Sequence, residues 1–306
     1  MLLERSSIVA VVLTAAISIA GQSVQAQTAS QPDKLADPKP TSQAGFPADL
    51  YKWSTPAGGE PTPARVALGK ALFFDSRLSA DGKEDCATCH SPDKGFTDQL
   101  PTSMGIHNQF GQRNAPTILN SMFYTTLFWD GRAATLEDQI QGPITNPVEM
   151  GNANLDDVVA RVRAIPEYKK QFNDVFGRDP AYSDMTHAIA AYERTQILFD
   201  SPFDHFIAGD QNAISDSAKR GWSLFNGKGR CMSCHGFNPT QPLFTDFKFH
   251  NIGVSAHKSD FVPQARKALA IIEQSGGGYE QIDQLAIQSD LSGLGRFLVT
   301  KQPHDI

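Results

Sequence analysis

The sequence predicts a mainly α fold with long loops, built as two related domains. Three observations support this prediction. Apolar residues recur at helical spacing in several segments, alternating patterns typical of strands are scarce, and the motif Cys-X-X-Cys-His occurs twice. The two copies start at Cys86 and Cys231, and each follows a helical segment with an aromatic-rich turn, at residues 72–74 and 222–225. The repeat indicates two similar modules.

Length and composition are those of an ordinary soluble globular protein of one or two domains. The chain has 306 residues, of which 40% are hydrophobic and 20% are charged, and its net charge is -6. No basic block stands out that could neutralise phosphates, so the composition argues against a nucleic-acid partner. A small basic protein partner suits the acidic charge better.

The first residues resemble an export signal. Glu4 and Arg5 precede an apolar run over residues 8–20, and small residues at 24–26 offer a cleavage site before Gln27. The alternative, a membrane anchor, is less favoured because the run is short and has no stop-transfer flank. We therefore expect a signal peptide at residues 1–26 and a mature protein in the periplasm, without membrane association.

The remaining chain begins with a predicted linker. Residues 27–63 are rich in Pro, Ser, Ala and Gly, and residues 64–74 then repeat apolar side chains at helical spacing up to the first motif. We place an N-terminal domain at 64–205 and a C-terminal domain, which we expect to be incomplete, at 206–306.

Helix signals are clear between the motifs. Asn154 is a predicted helix cap, Pro166 breaks the helix that follows, and Gly177 ends a second piece. Ser183 is the predicted cap of another helix that runs to about residue 197. Ser215 begins the helix that leads to the second motif.

The Cys-X-X-Cys-His motifs indicate covalently attached haem. Two thiols at this spacing can form thioethers to the haem vinyl groups, and the following His binds the iron. A zinc site or a dithiol pair is the alternative, but all the cysteines fall inside the motifs and a His follows both pairs. The predicted haem-binding residues are Cys86, Cys89, His90, Cys231, Cys234 and His235. The prediction is thus two cytochrome c-like haem domains with two c-type haems.

Short segments between the motifs carry a family resemblance. They are RNAPTILN at 113–120, FWDGR at 128–132, LEDQ at 136–139, Gly142-Pro143 and NPVEM at 146–150. These segments resemble the bacterial di-haem cytochrome c peroxidases, a family that includes the MauG proteins. The resemblance extends from residue 64 to the C-terminus. It implies a peroxidatic haem in the N-terminal domain and an electron-transfer haem in the C-terminal domain.

The resemblance also assigns roles to individual residues. Trp129 would carry electrons between the haems, Glu149 would be the distal carboxylate that moves protons during peroxide cleavage, and Gln139 would be the distal amide. His107 lies where the peroxidases have a removable sixth ligand of the first haem, and Asn114 resembles a ligand of the family's calcium ion. Members usually continue beyond Ile306 to the sixth ligand of the second haem, so we expect the chain to be truncated relative to the family.

The predicted function is that of a periplasmic di-haem cytochrome c peroxidase, which reduces hydrogen peroxide to water. Its electrons would come from a small donor protein, a cytochrome c or a cupredoxin, and a second copy of the chain is a further expected partner. Two alternatives stay open. One is a MauG-like enzyme that matures the tryptophan tryptophylquinone cofactor of methylamine dehydrogenase, and the other is a non-enzymatic di-haem electron-transfer cytochrome.

Overall fold

The computed structural model describes residues 55–56, 59–238, 243–253 and 261–305. The predicted signal peptide at 1–26 and most of the predicted linker at 27–63 lie outside the described residues. All described residues belong to one unit, Pro38–Ile306. The division into two domains at residue 205 stays a prediction.

Helices joined by long loops make up the described chain, so the predicted mainly α fold is confirmed. Among the described residues there are three isolated β-bridges and no β-strand. In chain order the helices are α1 (Pro63–Phe73), α2 (Cys86–Cys89), α3 (Leu136–Thr145), α4 (Leu155–Arg163), α5 (Pro166–Phe176), α6 (Tyr182–Arg194), α7 (Pro202–Ile207), α8 (Asp216–Asn226), α9 (Phe261–Ser275), α10 (Tyr279–Ala286) and α11 (Phe297–Thr300). No helix within the described ranges has the length and apolar character needed to cross a membrane.

Most helix ends follow the local signals in the sequence. The Asn154 side chain accepts from the backbone N–H of Asp157 and caps α4, and the Ser215 side chain caps α8 in the same way. Pro166 occupies the first turn of α5, where its missing N–H costs no hydrogen bond. Gly177 ends that helix in the left-handed conformation. These predicted boundaries are confirmed.

The predicted start of α6 at Ser183 is wrong. Ala181 has the extended backbone of the cap position, and the helix already begins at Tyr182. Tyr182 packs against the hydrophobic core, and this packing extends the N-terminus of the helix to a position before the capping signal at Ser183. The helix also ends at Arg194 rather than near residue 197.

The main hydrophobic core lies among α1 and α3–α6. Leu72, Phe73, Phe172, Met185 and Ile189 are fully buried there. Helices α1 and α6 form the most extensive helix pair, and they cross so closely that a Cβ built on Gly69 would overlap the backbone carbonyl of Ala188. A second core forms among α9, α10 and α11 in the C-terminal segment.

We expect Gly69→Ala to lower the free energy of unfolding by about 1–3 kcal/mol, because the added methyl meets backbone atoms that cannot rotate away. Gly221→Ala is the matched control. Gly221 also lies inside a helix, but an added Cβ meets nothing within 4 Å, so the change should stabilise by up to about 1 kcal/mol through helix propensity. Urea unfolding at equal haem content measures both, and equal stability of Gly69→Ala and the wild type would contradict the close crossing.

Candidate functional site

The first Cys-X-X-Cys-His motif lies on one short helix. The Asp85 side chain accepts from the backbone N–H of Thr88 at 2.8 Å, and the Thr88 hydroxyl accepts from the backbone N–H of Asp85 at 3.1 Å. This capping box holds Cys86 and Cys89 on the same face of α2, three residues apart. His90 follows directly at the C-terminal end of the helix.

The imidazole of His90 is oriented by a backbone carbonyl. Its Nδ1 lies 3.2 Å from the carbonyl oxygen of Phe96. Because a carbonyl oxygen only accepts, Nδ1 carries the proton of this hydrogen bond and Nε2 keeps a lone pair for a metal. Burial lowers the pKa of His90, which favours the neutral ring that a ligand requires.

The second motif repeats this arrangement. Cys231 begins a 3₁₀ turn over Cys231–Ser233, and Nδ1 of His235 lies 3.2 Å from the carbonyl oxygen of Phe244. Phe244 has a left-handed backbone, with a φ of 54°, and Phe96 has the same conformation, with a φ of 58°. Both carbonyls are therefore presented from strained, similarly shaped loops.

A repeated Phe-Thr-Asp turn builds both carbonyl positions. In each copy the Thr hydroxyl accepts from the N–H two residues on, and the Asp carboxylate does the same. The four bonds join Thr97 to Gln99, Asp98 to Leu100, Thr245 to Phe247 and Asp246 to Lys248, at 2.9–3.0 Å. Sequence reasoning missed these turns. The signal available was the tripeptide itself, which starts six residues after one motif His and nine after the other.

A cavity of about 510 Å³ opens beside the first motif. Its volume lies in the range of cofactor pockets. The predicted site residues that line it are Cys89, His90, Asn114, Trp129, Gln139 and Glu149. The structure therefore brings these six residues together around one space.

Glu149 is the acidic group of this cavity whose environment matches the predicted proton-transfer role. Asn146 donates to its carboxylate from Nδ2 at 2.6 Å. Burial raises the pKa of Glu149 to about 7, and the negative charge of Asp283 adds to the increase, while the Arg132 guanidinium and the Asn146 bond oppose it. A carboxyl with this pKa can both accept and release a proton near neutral pH.

Arg132 connects the cavity wall to the C-terminal segment. Its Nε lies 2.7 Å from the carboxylate of Asp283 on α10, and its Nη1 lies 3.0 Å from the carboxylate of Asp130. Asp130 is fully buried, and Arg296 donates to its backbone carbonyl at 2.9 Å. These contacts place a C-terminal helix against the cavity and set the charge around Glu149.

Trp129 and Gln139 occupy different walls of the cavity. Trp129 Nε1 donates to the backbone carbonyl of Asn114 at 2.9 Å, and 56% of the residue is exposed. Gln139 lies on α3, whose start is capped by the Thr135 side chain, and it faces the cavity. Each side chain is thus positioned by its own element, a loop for Trp129 and a helix for Gln139.

Comparison with known proteins assigns the family. Residues 63–212 match the family model described as di-haem cytochrome c peroxidase. A cytochrome-c peroxidase of Pseudomonas sp. (strain SCT) is 36% identical over 263 residues, which cover 85% of this chain and 67% of that protein. The chain belongs to the di-haem cytochrome c peroxidase family.

Other members of the family are also similar. The methylamine utilization protein MauG of Methylorubrum extorquens is 43% identical over 66% of this chain and 56% of its own length. The cytochrome c peroxidase Ccp of Escherichia coli is 45% identical over 58% of this chain and 38% of its own length. The chain thus spans about half the length of these curated relatives.

Solved structures of the family share the fold. A crystal structure of a MauG-like protein associated with microbial copper homeostasis has a TM-score of 0.57 and 32% identity, with 64% of this chain and 59% of that chain covered. The diheme peroxidase BthA of Burkholderia thailandensis has a TM-score of 0.56 and 29% identity, with 61% and 54% covered. The cytochrome c-like character of the predicted fold is consistent with both.

His107 is not among the residues that line the cavity beside the first motif, which Cys89, His90, Asn114, Trp129, Gln139 and Glu149 share. It has a left-handed backbone, with a φ of 57°, and 67% of its side chain is exposed. Its Nδ1 is 3.9 Å from the carboxylate of Asp81. The loop around His107 therefore places the imidazole beside Asp81 and not among the residues lining the cavity.

The predicted calcium ligand Asn114 uses its side chain in another contact. Its Nδ2 donates to the backbone carbonyl of Leu100 at 2.6 Å. Within the described ranges, no group of three or more His, Cys, Asp or Glu side chains is arranged to hold a metal ion. A calcium ion at Asn114 stays a prediction.

The residues at both motifs fit the c-type haems that the family implies. The first motif offers two thiols on one helical face, an imidazole with a free Nε2, and an adjoining cavity. The second offers the same donors beside a cluster of aromatic rings. The members of this cluster are Phe203, Trp222, Phe225, Phe237 and Phe244. Packed rings around a donor set suit a large, flat, apolar cofactor.

Proposed function

We propose that this protein is a periplasmic di-haem peroxidase that reduces hydrogen peroxide to water. The observation that carries the proposal is that Glu149, Gln139 and His90 line one cavity. Burial raises the pKa of Glu149 to about 7, which suits a group that exchanges protons. Haem iron bound by His90 would supply the metal centre that binds peroxide and passes electrons to it. The reduction consumes two electrons and two protons for each peroxide.

The residues of the cavity would have separate roles in the reaction. Glu149 would take a proton from one oxygen of peroxide and return it to the other, departing oxygen, while Asn146 holds the carboxylate in place. Gln139 donates a hydrogen bond from its amide to peroxide or water. His90 would hold the haem iron, and the Phe96 carbonyl maintains the orientation of its imidazole.

Electrons would enter at the second haem motif and reach the first cavity through Trp129. The indole lies at the cavity wall and is anchored by its bond to the Asn114 carbonyl, and an aromatic π-system shortens the gap that an electron must cross. The donor would be a small cytochrome c or cupredoxin, for which the net charge of -6 favours a basic binding face.

Steady-state peroxide consumption with a reduced small cytochrome c tests the proposal. We expect turnover that requires the donor, together with a high-spin haem signal in the half-reduced protein. Donor oxidation without peroxide consumption, and two haems that remain low-spin, would instead indicate an electron-transfer cytochrome. The assay uses protein with both haems attached.

The position of His107 favours a second candidate, a MauG-like enzyme. MauG proteins lack this ligand, and here the side chain lies beside Asp81, away from the cavity. Such an enzyme would oxidise residues of a partner protein, as in the maturation of the tryptophan tryptophylquinone cofactor of methylamine dehydrogenase. It is favoured if the diferric protein reacts with peroxide without prior reduction, because no ligand then has to leave the first haem.

A further inference from the structure

Glu193 is a buried carboxyl for which the proposed reaction has no role. The residue is 6% exposed, and its side chain nonetheless forms part of the wall of the cavity that contains His90 and Cys89. It lies near the C-terminal end of α6. Within the described ranges its carboxylate has no salt bridge and no hydrogen bond.

The neighbouring cation does not neutralise Glu193. Arg194 forms a two-point ion pair with Glu137 on α3, with Nη1 and Nη2 at 2.7 and 2.9 Å from the two carboxylate oxygens. Because the guanidinium is directed at Glu137, Glu193 faces the cavity as an unpaired carboxyl. A buried carboxylate without a partner is unfavourable, and such a group responds strongly to any change of charge close to it.

The charged and titratable groups around Glu193 come from three helices. They are Arg194 and Tyr192 on α6, Glu137 on α3 and Cys86 on α2. Burial raises the pKa of Glu193 to about 8, Glu137 raises it further, and Arg194 opposes the increase. Cys86 no longer titrates once it forms a thioether.

We propose that Glu193 takes up a proton when the haem of this cavity is reduced. The iron gains one electron from the donor protein, or from dithionite in a titration, and passes from ferric to ferrous. The carboxylate gains one proton from solvent and becomes a carboxylic acid, so the cavity keeps its net charge. The added electron makes the surroundings of the carboxyl more negative, and a negative charge favours its protonated form. The inference rests on the assignment of a haem to this cavity and does not depend on peroxide turnover.

Spectroelectrochemical titration of the holoprotein at a series of pH values tests the proposal. When one proton accompanies one electron, the midpoint potential falls by about 59 mV per pH unit. In the wild type, we expect the midpoint potential of the first haem to fall with a slope that approaches this value. The fall should begin above the pKa that Glu193 has when the haem is oxidised. Glu193→Gln keeps the side-chain size but cannot take up the proton, so it should flatten the slope.

Two further variants complete the experiment. Glu193→Asp retains a carboxyl, so the midpoint potential should fall with the same slope but over a different pH range. Glu167→Gln removes an exposed glutamate on α5 and should leave the wild-type curve unchanged.

The proposal is overturned by a first-haem potential of the wild type that does not vary with pH, or by a Gln variant that keeps the wild-type slope. If Glu193→Gln fails to load haem, the Glu193→Asp variant decides. If its plot of midpoint potential against pH coincides with that of the wild type, Glu193 is not the group that takes up the proton. Haem content is measured first by absorbance, so a failure of haem attachment is recognised separately. A protein without peroxidase turnover can still pass this test.

Discussion

Glu149→Gln lowers kcat/KM for hydrogen peroxide by about 10²–10⁴-fold, the usual contribution of a positioned acid–base group. The amide keeps the shape of the side chain and can still contact Asn146, which donates to Glu149 at 2.6 Å in the wild type. It cannot accept a proton from peroxide. Stopped-flow measurement of the first turnover with reduced protein isolates this step from electron delivery.

The pH dependence of kcat/KM is an independent test of the role of Glu149. Glu149 must be ionised to accept the first proton, and its pKa is raised to about 7. Wild-type kcat/KM should therefore fall as the pH drops through 7, and the residual activity of the Gln variant should show no inflection there. Retained turnover in the variant, or an unchanged inflection, would remove Glu149 from the reaction.

Stability shows whether the Gln variant is simply misfolded. The pKa of Glu149 rises on folding from an ordinary value of 4.5, so its contribution to stability is greatest below 4.5 and is lost as the pH rises through 7. Above pH 7 the neutral Gln variant avoids that loss and should unfold at an equal or higher temperature than the wild type. Thermal unfolding at two pH values, one below 4.5 and one above 7, measures this difference.

Arg194→Met lowers the free energy of unfolding by about 3–5 kcal/mol, because it leaves the carboxylate of Glu137 buried without its cation. Arg194 is 1% exposed and Glu137 is 8% exposed, and two hydrogen bonds join them. The loss should appear in urea unfolding of the holoprotein at neutral pH.

The double variant Arg194→Met/Glu137→Met should recover most of the lost stability. Apolar side chains remove both charges, and they also remove Arg194 Nε, a buried donor without a hydrogen-bond partner. Lys170→Met is the surface control. Its ion pair with Asp174 is largely exposed, so its loss should change stability by less than about 1 kcal/mol. Equal effects of Arg194→Met and Lys170→Met would contradict the buried pair.

Local features of this protein could be predicted from its sequence because they depend on neighbouring residues. The caps at Asn154 and Ser215, the break at Pro166 and the stop at Gly177 all lie where the residue types indicate. The motif segments also predicted which residues would share a site. Glu149, Gln139, Trp129 and His90 do surround one cavity, while their roles in catalysis stay predictions.

The tertiary structure decided what depends on residues far apart in the chain. Arg132 meets Asp283 across 151 positions, and this contact brings to Glu149 a charge that no local pattern indicates. The position of His107 beside Asp81 depends on a left-handed backbone conformation at His107. A histidine in the sequence does not predict that conformation. Glu193 looks like an ordinary helix glutamate in the sequence. Only the packing of α3 and α6, which directs Arg194 to Glu137, leaves Glu193 as an unpaired acid in the cavity wall.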